Sequence, residues 1–433
     1  MSRLISAAVV AMLGVVASGL NSAQSATADA HQALMRNAGV KQALTQIKAE
    51  DAQTFREQIE LSQIPSPPFK EAVRAQEYLR RFQALGLKDA AIDAEGNVIG
   101  LRKGSGDGPL LVLAAHLDTV FPEGTDVTVK ERDGRFYGRG LGDDGRGLTT
   151  VLTVLRAMQS ANIRTVGDVL FVGTVGEEGL GDLRGVKALF RDRQNIDGFI
   201  SVDTLGTNHI LAQATGSRRW EFSFSGPGGH SFGAFGAPSA IHAMGRAIAL
   251  IDEVRPPADP KTTFTVGVVS GGTSVNTIAA DAKMLIDMRS NSAAALGEIE
   301  KQIQAAAEQA VKDENTRWSS TGIKVEMKLL GDRPAGMQPA ETPIVRAAHG
   351  SSAALKLPKP TLGAASTDSN VAISLGIPAA TLGGGGEGGG AHSPDEWYKP
   401  VDAWLGPQSV LLTTLALVGV DKVSQPQLPK RAK

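Results

Sequence analysis

The 433-residue chain contains no cysteine. That absence excludes disulfides, thiolate metal sites and thiol nucleophiles, so any bound metal must be held by histidine and carboxylate. An excess of charge is also missing, since 44 Lys and Arg face 45 Asp and Glu for a net charge of −1. Neither a nucleic-acid footprint nor a polybasic membrane surface fits that balance, and a small-molecule partner is expected. Aromatic residues make up only 5% of the chain against 50 glycines, a composition of tight turns and close backbone approaches. Beyond the N-terminus no segment nears the roughly 20 apolar residues of a membrane-spanning helix, and no internal repeat or heptad array is present.

What is present begins with a targeting pattern. Arg3 precedes an apolar run from Leu4 to Leu20, and small and polar residues follow, with Ala26-Thr27-Ala28 as a cleavage site. Residues 1–28 read as a secretory signal peptide; the alternative is an uncleaved membrane anchor. No cysteine follows the run, which excludes a lipoprotein anchor. The expectation is a periplasmic or secreted protein with no stable membrane span after cleavage, and a thiol-free chain suits that compartment.

Length implies two to three domains. From His31 to Gln83 the apolar spacing is helical, broken at Ile64-Pro65-Ser66-Pro67-Pro68, and Ala72 to Leu85 reads as an amphipathic helix closed by Gly86. Strand-like residues follow from Ala91 to Leu101. Leu110 to Ala115 is then an apolar strand that ends in His116 and Asp118, two polar groups facing the same way on an extended chain. Three more apolar strands end similarly. Asp168 to Thr174 runs into Glu177-Glu178, Gly198 to Val202 into Asp203, and Pro378 to Leu382 leads through GGGGEGGG to His392. The pair Asp143-Asp144 lies in a loop just ahead of the apolar helix Leu148 to Ala161. Ligand crevices of open α/β sheets lie beyond the carboxyl ends of strands, so one shared crevice is expected.

Between Asp203 and the last of these strands the pattern changes. Arg219 to Ser225, Thr263 to Val269 and Ala282 to Met288 alternate as strands, while Ser239 to Val254 and Leu296 to Lys312 read as helices. Strand, helix, strand, strand, helix, strand is the order of a small α+β, ferredoxin-like sandwich. The expected architecture is an α/β catalytic domain in two segments, 29–215 and 333–422, whose mixed, mostly parallel sheet is flanked by helices. An inserted domain covers 216–332, and 423–433 is expected to be a disordered tail.

A hydrolytic two-metal site needs imidazole and carboxylate ligands, one carboxylate able to bridge, and one more to move a proton. The strand ends supply the set. His116 and Asp203 would hold one ion, Glu178 and His392 the other, and Asp143 would bridge. Asp118 would hydrogen-bond the far nitrogen of His116 and fix its tautomer. Glu177 is the natural general base, taking a proton from the attacking water and returning it to the leaving amine. Two Zn2+ per subunit fit sulfur-free ligands, with Co2+ or Mn2+ as alternatives.

His116-Leu117-Asp118, then GRGLGDDGRG, GEEG, Ser201-Val202-Asp203 and finally AHSPDEW resemble the ordered metal motifs of the zinc exopeptidase family. That family includes glutamate carboxypeptidase, peptidase T, acetylornithine deacetylase and succinyl-diaminopimelate desuccinylase. The resemblance covers nearly the whole mature chain and selects Asp143 over Asp144 as the bridge. Arg146 stands at or beside a Lys of the family pattern, a departure that touches no ligand. The insert matches the family's lid or dimerisation domain. Gly226-Pro227-Gly228-Gly229-His230-Ser231 resembles the motif whose imidazole, in dimeric relatives, reaches the partner's active site to polarise the scissile carbonyl. Asn276 in SVNTIA and Arg289 in IDMRS resemble the residues that hold the substrate carboxylate, and Ala279 stands where many relatives have Pro. A guanidinium clamps a carboxylate bidentately, which suits recognition of a chain end.

The resemblance implies a zinc metallopeptidase or amidohydrolase, of carboxypeptidase or tripeptidase type or an N-acyl-amino-acid deacylase. Its substrate is a small peptide or N-acyl amino acid with a free carboxylate, and a homodimer through the lid is implied. Competing readings are a catalytically silent binding protein with this fold and a two-metal phosphoesterase. For single residues the plainer alternatives are a strand-end His–Asp pair at His116, a turn-capping histidine at His230, a strand-end ion pair of Arg289 with Asp287, and a solvated or helix-capping Asp144. His31, His209, His242 and His349 are not expected to bind metal. GGGGEGGG is expected to be a mobile substrate-side loop rather than a phosphate cradle.

Overall fold

The computed structural model describes residues 26–431, and the signal-peptide reading, apart from its last three residues, lies outside the described residues. The described residues divide into two compact units, one of residues 26–212, 338–363 and 367–431, the other of 213–337 and 364–366. The second is wider than the expected insert because residues on both flanks pair within it, Ala214 with Gly336 and Thr215 with Ala365. Among the described residues no helix is long and apolar enough to cross a membrane.

The first unit opens with helices α1 (26–36), α2 (Ala38–Ala49), α3 (Asp51–Ser62) and α4 (Ala72–Ala84). Strands β1 (Ala91–Ile92), β2 (Val98–Arg102), β3 (Leu110–His116), β4 (Lys130–Arg132) and β5 (Arg135–Tyr137) follow, then α5 (Gly145–Ser160), β6 (Asp168–Thr174), α6 (Arg184–Asp192), β7 (Gly198–Val202) and β8 (His209–Ala214). The second unit contains β9 (Gly216–Ser225), β10 (Gly229–His230), α7 (Ala240–Asp252), β11 (Thr262–Gly271), β12 (Thr277–Ile278), β13 (Asp281–Ser290), α8 (Ala293–Arg317) and β14 (Lys324–Arg333). Its sheet runs β11-β13-β9-β14, antiparallel throughout. Phe222, Met284 and Ile286 of the sheet form one core with Ala247 and Ile251 of α7 and Ile299 and Ile303 of α8. Alternating burial along β13 shows why: a sheet covered by helices on one face needs apolar residues only at every second position.

The closing segment adds α9 (Pro343–Ala354), β15 (Thr361–Ala365), α10 (Ser369–Ser374), β16 (Ala379–Leu382), β17 (Glu387–Gly389), β18 (Trp397–Lys399) and α11 (Leu405–Val418). The main sheet runs β1-β2-β6-β3-β7-β16-β8-β15. β6, β3, β7 and β16 are parallel neighbours, while β2 and β8 flank them antiparallel. Every residue of β3 is buried, as a central parallel strand covered on both faces requires, and this explains its unbroken apolar run. Leu111 and Leu113 share a core with Val151 and Leu155 of α5 and Leu411 and Leu415 of α11.

Two expectations need correction. The tail is ordered as far as residue 431: the Gln427 and Leu428 amides donate to the Ala416 and Leu417 carbonyls, and that of Arg431 to Asp197. Leu428 is 2% exposed, and it fits because Gly198 has no side chain; a Cβ there would lie 2.8 Å from the leucine. Nor is GGGGEGGG a mobile loop. The Gly384 amide donates to Thr204 and that of Gly385 to Gly206, Arg146 Nε donates to the Gly384 carbonyl, and residues 387–389 are strand β17. Arg146, buried inside α5, thus ties that helix to this loop. Leu428→Ala should cost about 2–4 kcal/mol in chemical denaturation, as for other buried leucines; an unchanged midpoint would mean that the tail carries no stability.

Candidate metal centre

The parallel register sets the site. His116 is opposite Thr174, Ala114 opposite Ser201, and Leu382 opposite Val202, so β3, β6, β7 and β16 end within one residue of one another. His116 Nε2 lies 2.9 Å from Asp143 Oδ1 and 3.6 Å from Asp203 Oδ1. His392 Nε2 lies 3.0 Å from Asp143 Oδ2 and 3.0 Å from Glu178 Oε1. One carboxylate therefore turns its two oxygens to two different imidazoles, each with a further carboxylate beside it. Glu177 joins the cluster, with ligand-type atoms of His116, Glu177 and Glu178 all within 4.8 Å of one another. The same holds for Asp143, Glu178 and His392. Sulfur-free donors in two groups joined by one carboxylate fit a pair of borderline or hard divalent cations.

Asp118 is placed as expected but acts otherwise. Its carboxylate is 3.7 Å from His116 Nδ1, too far for a hydrogen bond. The Asp118 backbone carbonyl, at 3.0 Å, takes the Nδ1 proton and so directs Nε2 toward the cluster. The carboxylate accepts the amides of Glu177 and Glu178, at 3.1 and 2.8 Å, and thereby fixes both acidic residues. Asp144 is buried, not solvated. It caps α5 by accepting the Gly147 amide and also holds the His116 amide, both at 2.9 Å.

Three supporting residues escaped the sequence reading. Glu396 is buried and accepts amides of Gly140, Gly142 and Asp143, holding the loop that carries the shared carboxylate. Arg74, wholly buried, donates to the carbonyls of Ser62, Ile64 and Leu117 beneath the strand ends. Asp368 meets Thr174 Oγ1 at 2.5 Å, below the strand that leads to Glu177. The signal for Glu396 lay inside the AHSPDEW segment; Arg74 sits in an ordinary helical pattern, and Asp368 in no motif.

Charge dominates the electrostatics. Burial pulls the His116 imidazole down, but Asp118, Asp143 and Asp203 outweigh it and keep its pKa well above the usual value. Asp143 and Glu178 raise His392 to about 10. Burial would raise Asp143, yet the two imidazoles overcome it and hold this carboxyl below the usual range. Burial lifts Asp203 to about 6, Asp368 to about 7 and, against its three amide hydrogen bonds, Glu396 to about 7. Burial lowers Arg74 to about 10, with Asp118 and Asp144 opposing, so it remains a cation.

In the second unit, His230 and Asn276 line one cavity of about 360 Å³. His230 Nδ1 accepts the amides of Phe232 and Gly233 at 3.2 Å, which leaves Nε2 as the proton-bearing nitrogen. Arg289 stands apart from that cavity, eight residues along β13 from Asp281, which also lines it, a span of about 26 Å at roughly 3.3 Å per residue. Its Nε donates to Asp287 at 2.7 Å, the strand-end ion pair. His209 bonds Thr361 at 2.8 Å, and His31 bonds Ser351 and the Thr27 carbonyl.

The sequence pattern of peptidase family M20/M25/M40 matches residues 112–417, well over half of the chain. The chain belongs to this family. It is a metallohydrolase of the peptidase and desuccinylase type, acting on peptide or amide bonds. A LysW-lysine/LysW-ornithine hydrolase assigned in Pyrococcus furiosus is 32% identical over 163 residues, 38% of this chain; the chain spans only 45% of that relative. A succinyl-diaminopimelate desuccinylase of Paraburkholderia xenovorans is 25% identical over 268 residues, covering 57% of this chain and 70% of the relative. Two solved structures share the fold of this M20 enzyme. The aminopeptidase PepT of Bacillus cereus covers 84% of the chain and 97% of its own, at 24% identity and TM-score 0.69. A dinuclear metal-binding M20 peptidase of Bacillus subtilis covers 86% and 99%, at 16% identity and TM-score 0.63.

The raised His392 pKa gives a measurable linkage. Protonated at pH 7, His392 must lose its proton to act as a ligand, so metal loading should release protons and apparent affinity should rise with pH toward 10. Calorimetric titration in buffers of different ionisation enthalpy checks this, and His392→Ala should remove about one released proton per chain; loading without proton release would contradict it.

Proposed function

We propose that this M20 enzyme is a di-zinc hydrolase that cleaves the amide bond next to a terminal amino acid in a small peptide or N-acyl amino acid. The observation that carries the reading is the single Asp143 carboxylate shared between the His116 and His392 groups. In this reading His116 and Asp203 hold one ion, Glu178 and His392 the other, and Asp143 both. When bound, the metal pair supplies Lewis acidity and makes water acidic enough to attack near neutral pH. Glu177 takes the proton of the attacking water and passes it to the departing amine. Its position is supported by the Asp118 carboxylate, which holds the Glu177 amide. Arg289 and Asn276 bind the substrate carboxylate, and His230, with its proton on Nε2, donates to the scissile carbonyl.

The wide spacing of Arg289 from the His230–Asn276 cavity favours a homodimer: one lid cannot bring all three to one substrate, whereas two copies can each lend one end. We further propose that the chain is exported by a cleaved N-terminal signal and works in the periplasm or outside the cell.

Glu177→Ala should lower kcat on the order of 10² to 10⁴-fold with metal content unchanged. Steady-state kinetics with elemental analysis checks this, and full activity would remove Glu177 from the mechanism. Chelation should abolish turnover and zinc should restore it. Sedimentation should give a dimer in which His230→Ala impairs turnover while leaving metal content intact; a fully active monomer would refute the borrowed histidine.

A further inference from the structure

Beside the shared carboxylate the first unit holds a cavity of about 280 Å³, whose lining includes Asp143, Asp203, Leu205, Gly389, Ala391 and Trp397. Whole-ligand pockets run from about 300 to 1,000 Å³, so this one has room for a single group next to the reacting bond. Among the described residues no lysine or arginine lines it. Its acidic members are already engaged: Asp143 and Asp203 face the imidazoles, and both oxygens of Glu396, which also lines the cavity, accept backbone amides. Leucine, alanine, glycine backbone, an indole and one neutral hydroxyl residue, Thr204, are left to meet a ligand.

The indole is fixed in advance. Trp397 pairs with Gly389 on one neighbouring strand and with Tyr137 on the other. A Cβ at Gly389 would lie 3.0–3.4 Å from the indole, so the glycine lets the ring lie across the strand. The Arg135 guanidinium stacks 4.2 Å from the ring centroid, which commits that cation to the ring rather than to the cavity. A rigid aromatic wall binds apolar groups with little ordering cost.

We propose that this cavity is the acyl-side subsite and that it selects apolar acyl groups or side chains, aliphatic or aromatic, over dicarboxylic ones such as succinyl. The proposal rests on the amide-hydrolase reading, in which the substrate carboxylate is held by Arg289 and Asn276; a cavity without a cation serves the other end of the substrate. This separates the chain in specificity from the relative named a desuccinylase.

The test uses metal-loaded full-length protein and N-acyl alanines that differ only in an acetyl, hexanoyl, phenylacetyl or succinyl group. Wild type should show kcat/KM for hexanoyl or phenylacetyl at least about tenfold above succinyl, the scale of discrimination that apolar pockets reach. Trp397→Ala should erode that ratio. Ala391→Arg, a change at an exposed position, should shift it toward succinyl, with circular dichroism and metal content confirming an intact protein. Equal or faster cleavage of the succinyl substrate by wild type overturns the proposal and leaves the hydrolase reading standing. Calorimetric binding of phenylacetate and succinate separates the two ideas. If none of the four amides is cleaved, N-acyl amino acids are removed as substrates, yet tighter phenylacetate binding that Trp397→Ala weakens still supports the apolar preference; equal or tighter succinate binding overturns it.

Discussion

The structure turns on a concentration of buried negative charge. Asp118, Asp144, Glu177, Glu178 and Asp368 are all less than about a tenth exposed, and Asp143 and Asp203 lie among them. The resident counter-charges are His116, His392 and the buried Arg74. Removing ions from water costs several kcal/mol each even after relaxation, so such a cluster persists only if cations and hydrogen bonds compensate it. The two imidazoles illustrate the demand, since each is driven toward its charged form by the carboxylates around it. Divalent ions meet the same demand with ligand bonds.

Much of the remaining fold holds those carboxylates still. Backbone amides do most of it: those of Glu177 and Glu178 on Asp118, those of His116 and Gly147 on Asp144, and those of Gly140, Gly142 and Asp143 on Glu396. Each supporting carboxylate spends its oxygens on backbone amides of the chain. This divides neighbouring residues by role. Asp143 faces the imidazoles while Asp144 caps a helix, and Glu178 meets His392 while Glu177 stands beside His116.

The sheet and the crevice were legible in the sequence because both follow from simple periodicity. A central parallel strand must be apolar on both faces, so the sudden polar ends at His116, Glu177 and Asp203 mark where the sheet stops and the site begins. The inserted sandwich was legible from its alternating strands. The exact duty of Asp118 was hidden, because sequence cannot tell whether a side chain or its own backbone carbonyl meets an imidazole two residues away. Arg74 and Asp368 were hidden because they act through burial on other elements. The ordered tail was missed because its composition is polar, while its anchor is one leucine meeting the bare backbone of Gly198. The separation of Arg289 from Asn276 depends on strand length, which motif reading ignores.

In the proposed site Asp143 is shared by two ions. An anomalous-difference map from zinc-loaded crystals tests it most directly. Two peaks are expected about 3.5–4 Å apart, one within ligand distance of His116 and Asp203, the other of Glu178 and His392, with one oxygen of Asp143 on each. A single peak, or two ions that do not share Asp143, would contradict it.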